Sequence, residues 1–255
     1  MHHRCTAAAL IGASALVVTL AAACSTSEGD GRTTGSLNVA NCWTGPYELR
    51  PDFFAAVFHA GSLQIRIQNG SDSETFSDGI NILVNDVTKI RPNADIGFPG
   101  KYGEPLKVGL PPGVTPPGVP IKPTKDPPLV GMSLFMQRSC RTQNVMLYAV
   151  DQVTITTDGT CNADPVANTD TASGCTASTS AGVGSGKSSI AFQSLYSGDE
   201  FASAADRRIK GCFDVYLADP REIDDGTGPA PPCRGHLRGT FDFFYERGRP
   251  AQPFP

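Results

Sequence analysis

The sequence predicts an all-β fold: an antiparallel β-sandwich, jelly-roll-like, with one short helix and long Pro/Gly-rich loops. Three observations carry this expectation. Apolar and polar residues alternate with period two along several stretches, the pattern of half-buried strands. The 255 residues include 27 Gly and 21 Pro, a load that works against long helices and coiled coils. Six of the 8 cysteines lie beyond residue 24, spread along the chain as staples between short strands would be.

Taken in chain order, Leu63, Ile65 and Ile67 alternate with Gln64, Arg66 and Gln68, and Ile80, Ile82 and Val84 follow after a turn-rich stretch at 69–72. Val130, Met132, Leu134 and Met136 make a further strand, and residues 145–155 one or two more. Near the end, Phe213, Val215 and Leu217 alternate with Asp214 and Tyr216, and Leu237, Gly239, Phe241, Phe243 and Tyr245 alternate with His236, Arg238, Thr240 and Asp242. The one helix is expected over 51–60. Pro51 suits a first turn, Phe53/Val57 and Phe54/Phe58 are i,i+4 pairs, and Gly61 can end it. Residues 110–128 carry eight prolines, which excludes helix or central strand and reads as a long loop over a single body. A second low-complexity loop, rich in Thr, Ser, Ala and Gly, is expected over 169–189.

Charge narrows the partners. The chain is 18% charged with a formal net charge of −4, and no Lys/Arg-rich run occurs, so nucleic acid is not an expected partner.

The first residues argue for an address. A short basic start, Met1-His2-His3-Arg4, precedes the apolar run AAALIGASALVVTL at 7–20, the length of a signal-peptide core and short of the roughly 20 residues a spanning helix needs. Leu20-Ala21-Ala22-Ala23 then ends at Cys24, and a polar stretch follows. This segment resembles the bacterial lipoprotein lipobox, with Ala21 where that pattern prefers Leu. The resemblance implies cleavage before Cys24 and acylation of its thiol with chains such as palmitate. The expected organisation is a signal peptide over 1–23, a flexible lipid-anchored tether over 24–34, and a disulfide-stapled β domain over 35–255. The partner implied is a membrane, reached through the lipid. Ser25 lacks the aspartate that retains such lipoproteins at the inner membrane, so the resemblance favours the outer membrane.

Cysteine arithmetic agrees with export. Cys5 leaves with the signal peptide and Cys24 takes lipid, so Cys42, Cys140, Cys161, Cys175, Cys212 and Cys233 remain, an even set for three disulfides. Locality suggests Cys161 with Cys175, Cys212 with Cys233, and Cys42 with Cys140. No CxxC pair is present and only His59 and His236 persist after cleavage, so neither a metal site nor any other cofactor is expected.

Several motifs can be weighed for chemistry. Ala181-Gly-Val-Gly-Ser-Gly186-Lys187-Ser188 fits a relaxed P-loop. A phosphate cradle needs a buried strand before it and a helix starting at Lys187, whereas the residues before it are small and polar and those after it alternate like a strand. A flexible loop is therefore expected. Asp72, Glu74 and Asp78 with Gly79 offer oxygens to Ca²⁺ but lack EF-hand spacing, and Asp224-Asp225-Gly226 reads as a turn. His59 and His236 are the available imidazole bases, no G-x-S-x-G elbow accompanies them, and no catalytic residue is assigned. Trp43 and Tyr47 beside Cys42 offer faces for a sugar ring or packing for a disulfide.

Residues 35–39, Asn41-Cys42, 49–56, 63–72, Ser77-Asp78-Gly79 and the closing 235–245 segment are together similar to envelope lipoproteins of myxobacteria and their relatives. That family has no assigned reaction, so the resemblance transfers no catalytic residue. The expectation is a lipid-anchored cell-envelope protein acting as a non-catalytic binding or structural module for an envelope glycan or protein. The alternative is an envelope hydrolase of polysaccharide or peptide, which would bring His59 or His236 together with carboxylates in one cleft.

Overall fold

A computed structural model describes residues 29–70, 77–91, 100–101, 105–110, 128–141, 143–155, 161, 186–199, 201–223 and 229–245. The described elements are strands joined by turns and three short 3-10 segments, Val87–Lys89, Ala205–Arg207 and Pro220–Glu222.

The strands are β1 (Gly29–Val39), β2 (Trp43–Leu49), β3 (Phe53–His59), β4 (Ser62–Gln68), β5 (Asp78–Val84), β6 (Ile90–Arg91), β7 (Gly100–Lys101), β8 (Leu106–Gly109), β9 (Val130–Met136), β10 (Val145–Ala149), β11 (Gln152–Val153), β12 (Gly186–Lys187), β13 (Ser189–Ser194), β14 (Arg208–Ala218) and β15 (Gly235–Phe244). Eleven of them form one sheet in the order β2-β1-β15-β14-β13-β8-β9-β5-β4-β3, with β10 bridging β9 and β14. All its pairings are antiparallel except β8 with β9. The sheet's two terminal strands, β2 and β3, are joined by the three-residue corner 50–52, so the sheet curls back on itself. Its two halves face each other. Phe54 of β3 packs on Phe243 of β15 at 5.4 Å, closing the sandwich.

The core follows from alternation. Leu63, Ile65, Ile80, Ile82, Leu134, Val215 and Leu237 are fully buried in a single apolar cluster, as the period-two reading expects. Each such side chain contributes about 1.5–3 kcal/mol of transfer free energy, which makes this cluster the main source of stability. A smaller cluster on the other face of β14 gathers Val150, Val153, Tyr216, Ile223 and the cysteines Cys161 and Cys233.

Three expectations need correction. Residues 53–59 form strand β3, paired with β4 from Phe53↔Gln68 to His59↔Ser62, rather than a helix. The aromatic and β-branched residues suit a pleated surface, and Gly61 closes a hairpin instead of a helix: Ala60 and Gly61 both take positive φ, 49° and 84°, the geometry of a two-residue hairpin turn. The tether expected over 24–34 is strand from Gly29 onward, paired with β15 from Gly29↔Phe243 to Leu37↔Gly235. The absent Cβ of Gly29 and Gly31 lets the ring of Phe54 lie against that backbone. The disulfides are Cys42–Cys140, as expected, and Cys161–Cys233, in place of Cys161–Cys175 and Cys212–Cys233. Cys212 is itself disulfide-bonded. Locality along the chain does not carry these pairings, because the sheet brings together Cys161 and Cys233, which lie 72 residues apart. Most of the Pro-rich loop, at 111–127, lies outside the described residues, as does Cys175.

Candidate functional site

The site grows out of one proline. Strand β14 pairs with β10 at Tyr148↔Ala218 and Ala149↔Leu217, and Val150 donates its N–H to the carbonyl of Tyr216 at 3.2 Å. By the two-residue alternation of antiparallel pairing, the next hydrogen-bonded partner of Met146 would be residue 220. That residue is Pro220, which has no N–H to donate. Asp219 instead caps a 3-10 turn, accepting the N–H of Arg221 at 2.9 Å with Pro at the first turn position. The chain therefore leaves the sheet at Ala218.

What remains is a cleft of about 370 Å³. One wall is the open edge of β10 from Gln143 to Leu147, the other is the end of β1 at Asn38, Val39 and Ala40, and Arg234 and the turn 219–222 complete it. The Gln143 side chain donates to the Ala40 carbonyl at 2.9 Å, tying the two walls, and Asn38 donates its N–H to the Arg234 carbonyl at 2.8 Å. The Cys42–Cys140 disulfide crosslinks the loops behind both walls. The charges around the cleft are matched. Arg234 Nε donates to Glu222 at 2.7 Å, and Arg221 Nε donates to Asp219 at 2.9 Å. The Arg221 guanidinium holds the Asp219 carboxyl below its ordinary range. Among the described residues the lining holds no aromatic ring; it offers apolar side chains, amides and the main-chain groups of Met146.

A second polar cluster sits along the same outer row of β14 and β15. His236 Nε2 lies 2.6 Å from Asp214 Oδ1, Arg238 Nε donates to Asp214 Oδ2 at 2.9 Å, and the imidazole stacks on Tyr216 at 4.2 Å. His236 is only 3% exposed, so substrate does not reach it as a base.

The residues singled out in the sequence are dispersed. His59 ends β3 at an exposed hairpin turn, where its carbonyl accepts from Ser62, while His236 is buried on β15; the fold does not bring the two together. Asp78 is buried and accepts the N–H groups of Arg138 and Ser139 at 3.0 Å each, so it caps the turn after β9. Its companions Asp72 and Glu74, like Asp224 and Asp225, lie outside the described residues. Among the described residues, no three His, Cys, Asp or Glu side chains stand together as metal ligands. Lys187 belongs to a strand, and Ser188, which follows it, is 2% exposed with its Oγ accepting the N–H of Tyr216 at 2.9 Å, so the P-loop match places a strand where a helix is required. Trp43 meets Tyr47 edge to face at 5.7 Å and donates to the Pro46 carbonyl at 3.1 Å. Burial of Tyr47 pushes its phenol pKa up and removes it from any ligand platform.

Sequence reasoning missed the cleft. The signal available was Asp219-Pro220 directly after the alternating run 213–217: a capping residue and a proline that end a strand's ladder while its neighbour continues. Comparisons with protein-family models, with curated proteins and with solved structures give no match.

Proposed function

We propose that this protein is a lipid-anchored binding module of the bacterial cell envelope, held through Cys24, that captures an extended polypeptide segment in the cleft beside β10. The observation that carries the reading is the open edge of β10 facing Pro220. Met146 offers a carbonyl that Pro220, lacking an N–H, cannot pair, and strand addition satisfies such groups with main-chain hydrogen bonds. Matched charges around the cleft suit a partner recognised by its backbone. The lack of an aromatic ring among the described lining residues favours a polypeptide over a glycan, whose rings stack on aromatic faces.

Export and anchoring rest on the lipobox-like segment ending at Cys24 and are supported by crosslinked cysteines on both faces of the sheet, bonds typical of an oxidising compartment. A non-catalytic role is supported by the engagement of Asp78, Ser188 and Asp214 in structural hydrogen bonds.

Display selection of random peptides on the oxidised protein tests the binding role. Peptides are expected to enrich, to weaken when one main-chain N–H is methylated, and to lose binding to Ala40→Trp, which fills the cleft, but not to Gln64→Trp on β4. Binding indifferent to both the methylation and Ala40→Trp contradicts the reading.

A further inference from the structure

The exposed rings gather at one end of the sandwich. Among the described residues, the large apolar side chains standing in solvent are Phe201, 95% exposed, and Phe244, 44% exposed. A chain of contacts links the two. Phe244 ends β15 opposite Arg208, and Tyr245 beyond it donates its N–H to the Arg207 carbonyl at 2.8 Å and stacks on Tyr196 at 4.3 Å. Tyr196 in turn donates its hydroxyl to the carbonyl of Asp199 at 3.1 Å, and the side chain of Asp199 accepts the N–H of Phe201 at 2.8 Å.

The first described strand begins at that same end. Gly29 pairs with Phe243, and Cys24 precedes it by five residues, a reach of at most about 18 Å. The cleft lies at the opposite end, past Gly235, nine residues along β15 from Phe244 and so roughly 30 Å away.

Among the described residues, the ring-bearing end carries charges of both signs. The Arg208 guanidinium sits 6.0 Å from the Phe244 ring centroid and pairs with Asp242, which Lys210 also approaches at 3.5 Å. Asp206 accepts from the Ser203 hydroxyl at 2.6 Å. Solvent-facing rings beside tyrosines and an arginine, among charges of both signs, match the interfacial zone of a bilayer, where amphipathic rings settle at headgroup level.

We propose that the Phe201–Phe244 end docks onto the surface of the membrane that carries the anchor, its rings entering the headgroup region, so that the cleft faces away from the bilayer. The proposal rests on the anchored reading above, and it identifies the occupant as lipid by the short reach from Gly29 to Cys24. Docking by rings among charges of both signs is insensitive to salt and needs no anionic lipid.

Tryptophan depth measures this. Phe201→Trp is made in a Trp43→Phe background, and the wild-type chain, whose one Trp is Trp43 at the cleft end, serves as the distal reporter. Each protein is recovered lipidated from membranes, checked by intact mass, and reconstituted in phosphatidylcholine vesicles containing bromine-labelled acyl chains. In parallel, the oxidised chain beginning at Cys24 is coupled through that thiol to maleimide-headgroup lipid in the same vesicles. The expected result in both preparations is a blue shift and loss of emission from Trp at 201, unchanged in high salt, with Trp43 emission unaffected. Emission at 201 that stays water-like, or equal quenching at both ends, overturns the docking. A native protein whose mass shows no lipid overturns the anchor instead, and the coupled preparation then decides the docking alone.

Discussion

Asp214 holds His236 through a 2.6 Å contact to Nε2 and at the same time accepts from Arg238, so one carboxylate fixes two neighbouring cationic or polar side chains of β15. A carboxylate only accepts, so the imidazole presents its N–H at Nε2, and Nδ1 is buried with no hydrogen-bond partner among the described residues. This pair is structural, and its removal has a definite cost. Asp214→Ala should lower stability by about 2–3 kcal/mol, because a buried donor loses a charged acceptor, while Asp214→Asn keeps an acceptor and should cost less. Urea denaturation of the two variants checks the order.

The Cys42–Cys140 bond spans 98 residues of chain and ties the walls of the cleft. In the chain-entropy account a loop of that size gives roughly 4–5 kcal/mol, so the double variant Cys42→Ser/Cys140→Ser should melt well below the parent. Peptide mapping without reduction should also recover Cys233 linked to Cys161. Recovery of Cys233 linked to Cys212 would contradict the sheet register.

The start of β1 tests whether residues 29–34 are tether or sheet. A Cβ on Gly35 would stand 2.0 Å from the backbone carbonyl of His236, and one on Gly29 would stand 2.6 Å from the Phe54 ring. Gly35→Ala should therefore destabilise by about 1–3 kcal/mol or more, the range for overpacking against groups that cannot move aside. Gly29→Val should also lower the melting temperature. A residue in a free tether would tolerate Gly29→Val, whereas Gly35 lies in the β domain on either reading.

Acid should loosen the fold through its paired carboxylates. The hydrogen bonds from Arg208 to Asp242, and from Arg221 to Asp219, hold both carboxyls below the ordinary aspartate range. A depressed folded-state pKa adds stability above the unfolded value, near 4, and that stability is lost as pH falls through the folded value. Stability should thus decline below about pH 4. Asp242→Asn should shallow that decline, by a modest amount because Arg208 is solvent-exposed and screened. Denaturation midpoints between neutral and strongly acidic pH measure the slope.

Much of the sheet is readable from alternation. Ile65, Ile82, Leu134, Val215 and Leu237 each fall on the buried face the period-two pattern assigns them. The pattern fails where two periods coincide: in residues 53–59 the aromatics sit at spacings that suit a helix face and a pleated strand alike, and only pairing with β4 decides between them. It is silent where glycines leave no apolar mark, as in Gly29, Gly31 and Gly35, whose place in β1 depends on cross-strand neighbours distant in the chain. Disulfide partners depend on that same long-range register, which locality does not carry: Cys42 with Cys140 followed as the remaining pair, and Cys161 with Cys233 was not legible. The cleft was hidden for a related reason. Pro220 marks the end of β14 locally, but the open edge of Met146 exists only because β10 lies beside it.

The most direct test of the account is the intact mass of the protein recovered from bacterial membranes, taken before and after reduction. The account predicts a chain that begins at Cys24, carries acyl groups there, and takes up no thiol reagent until reduced. A chain that retains residues 1–23, with an unmodified Cys24 and freely reacting thiols at Cys42, Cys140, Cys161 and Cys233, would contradict it.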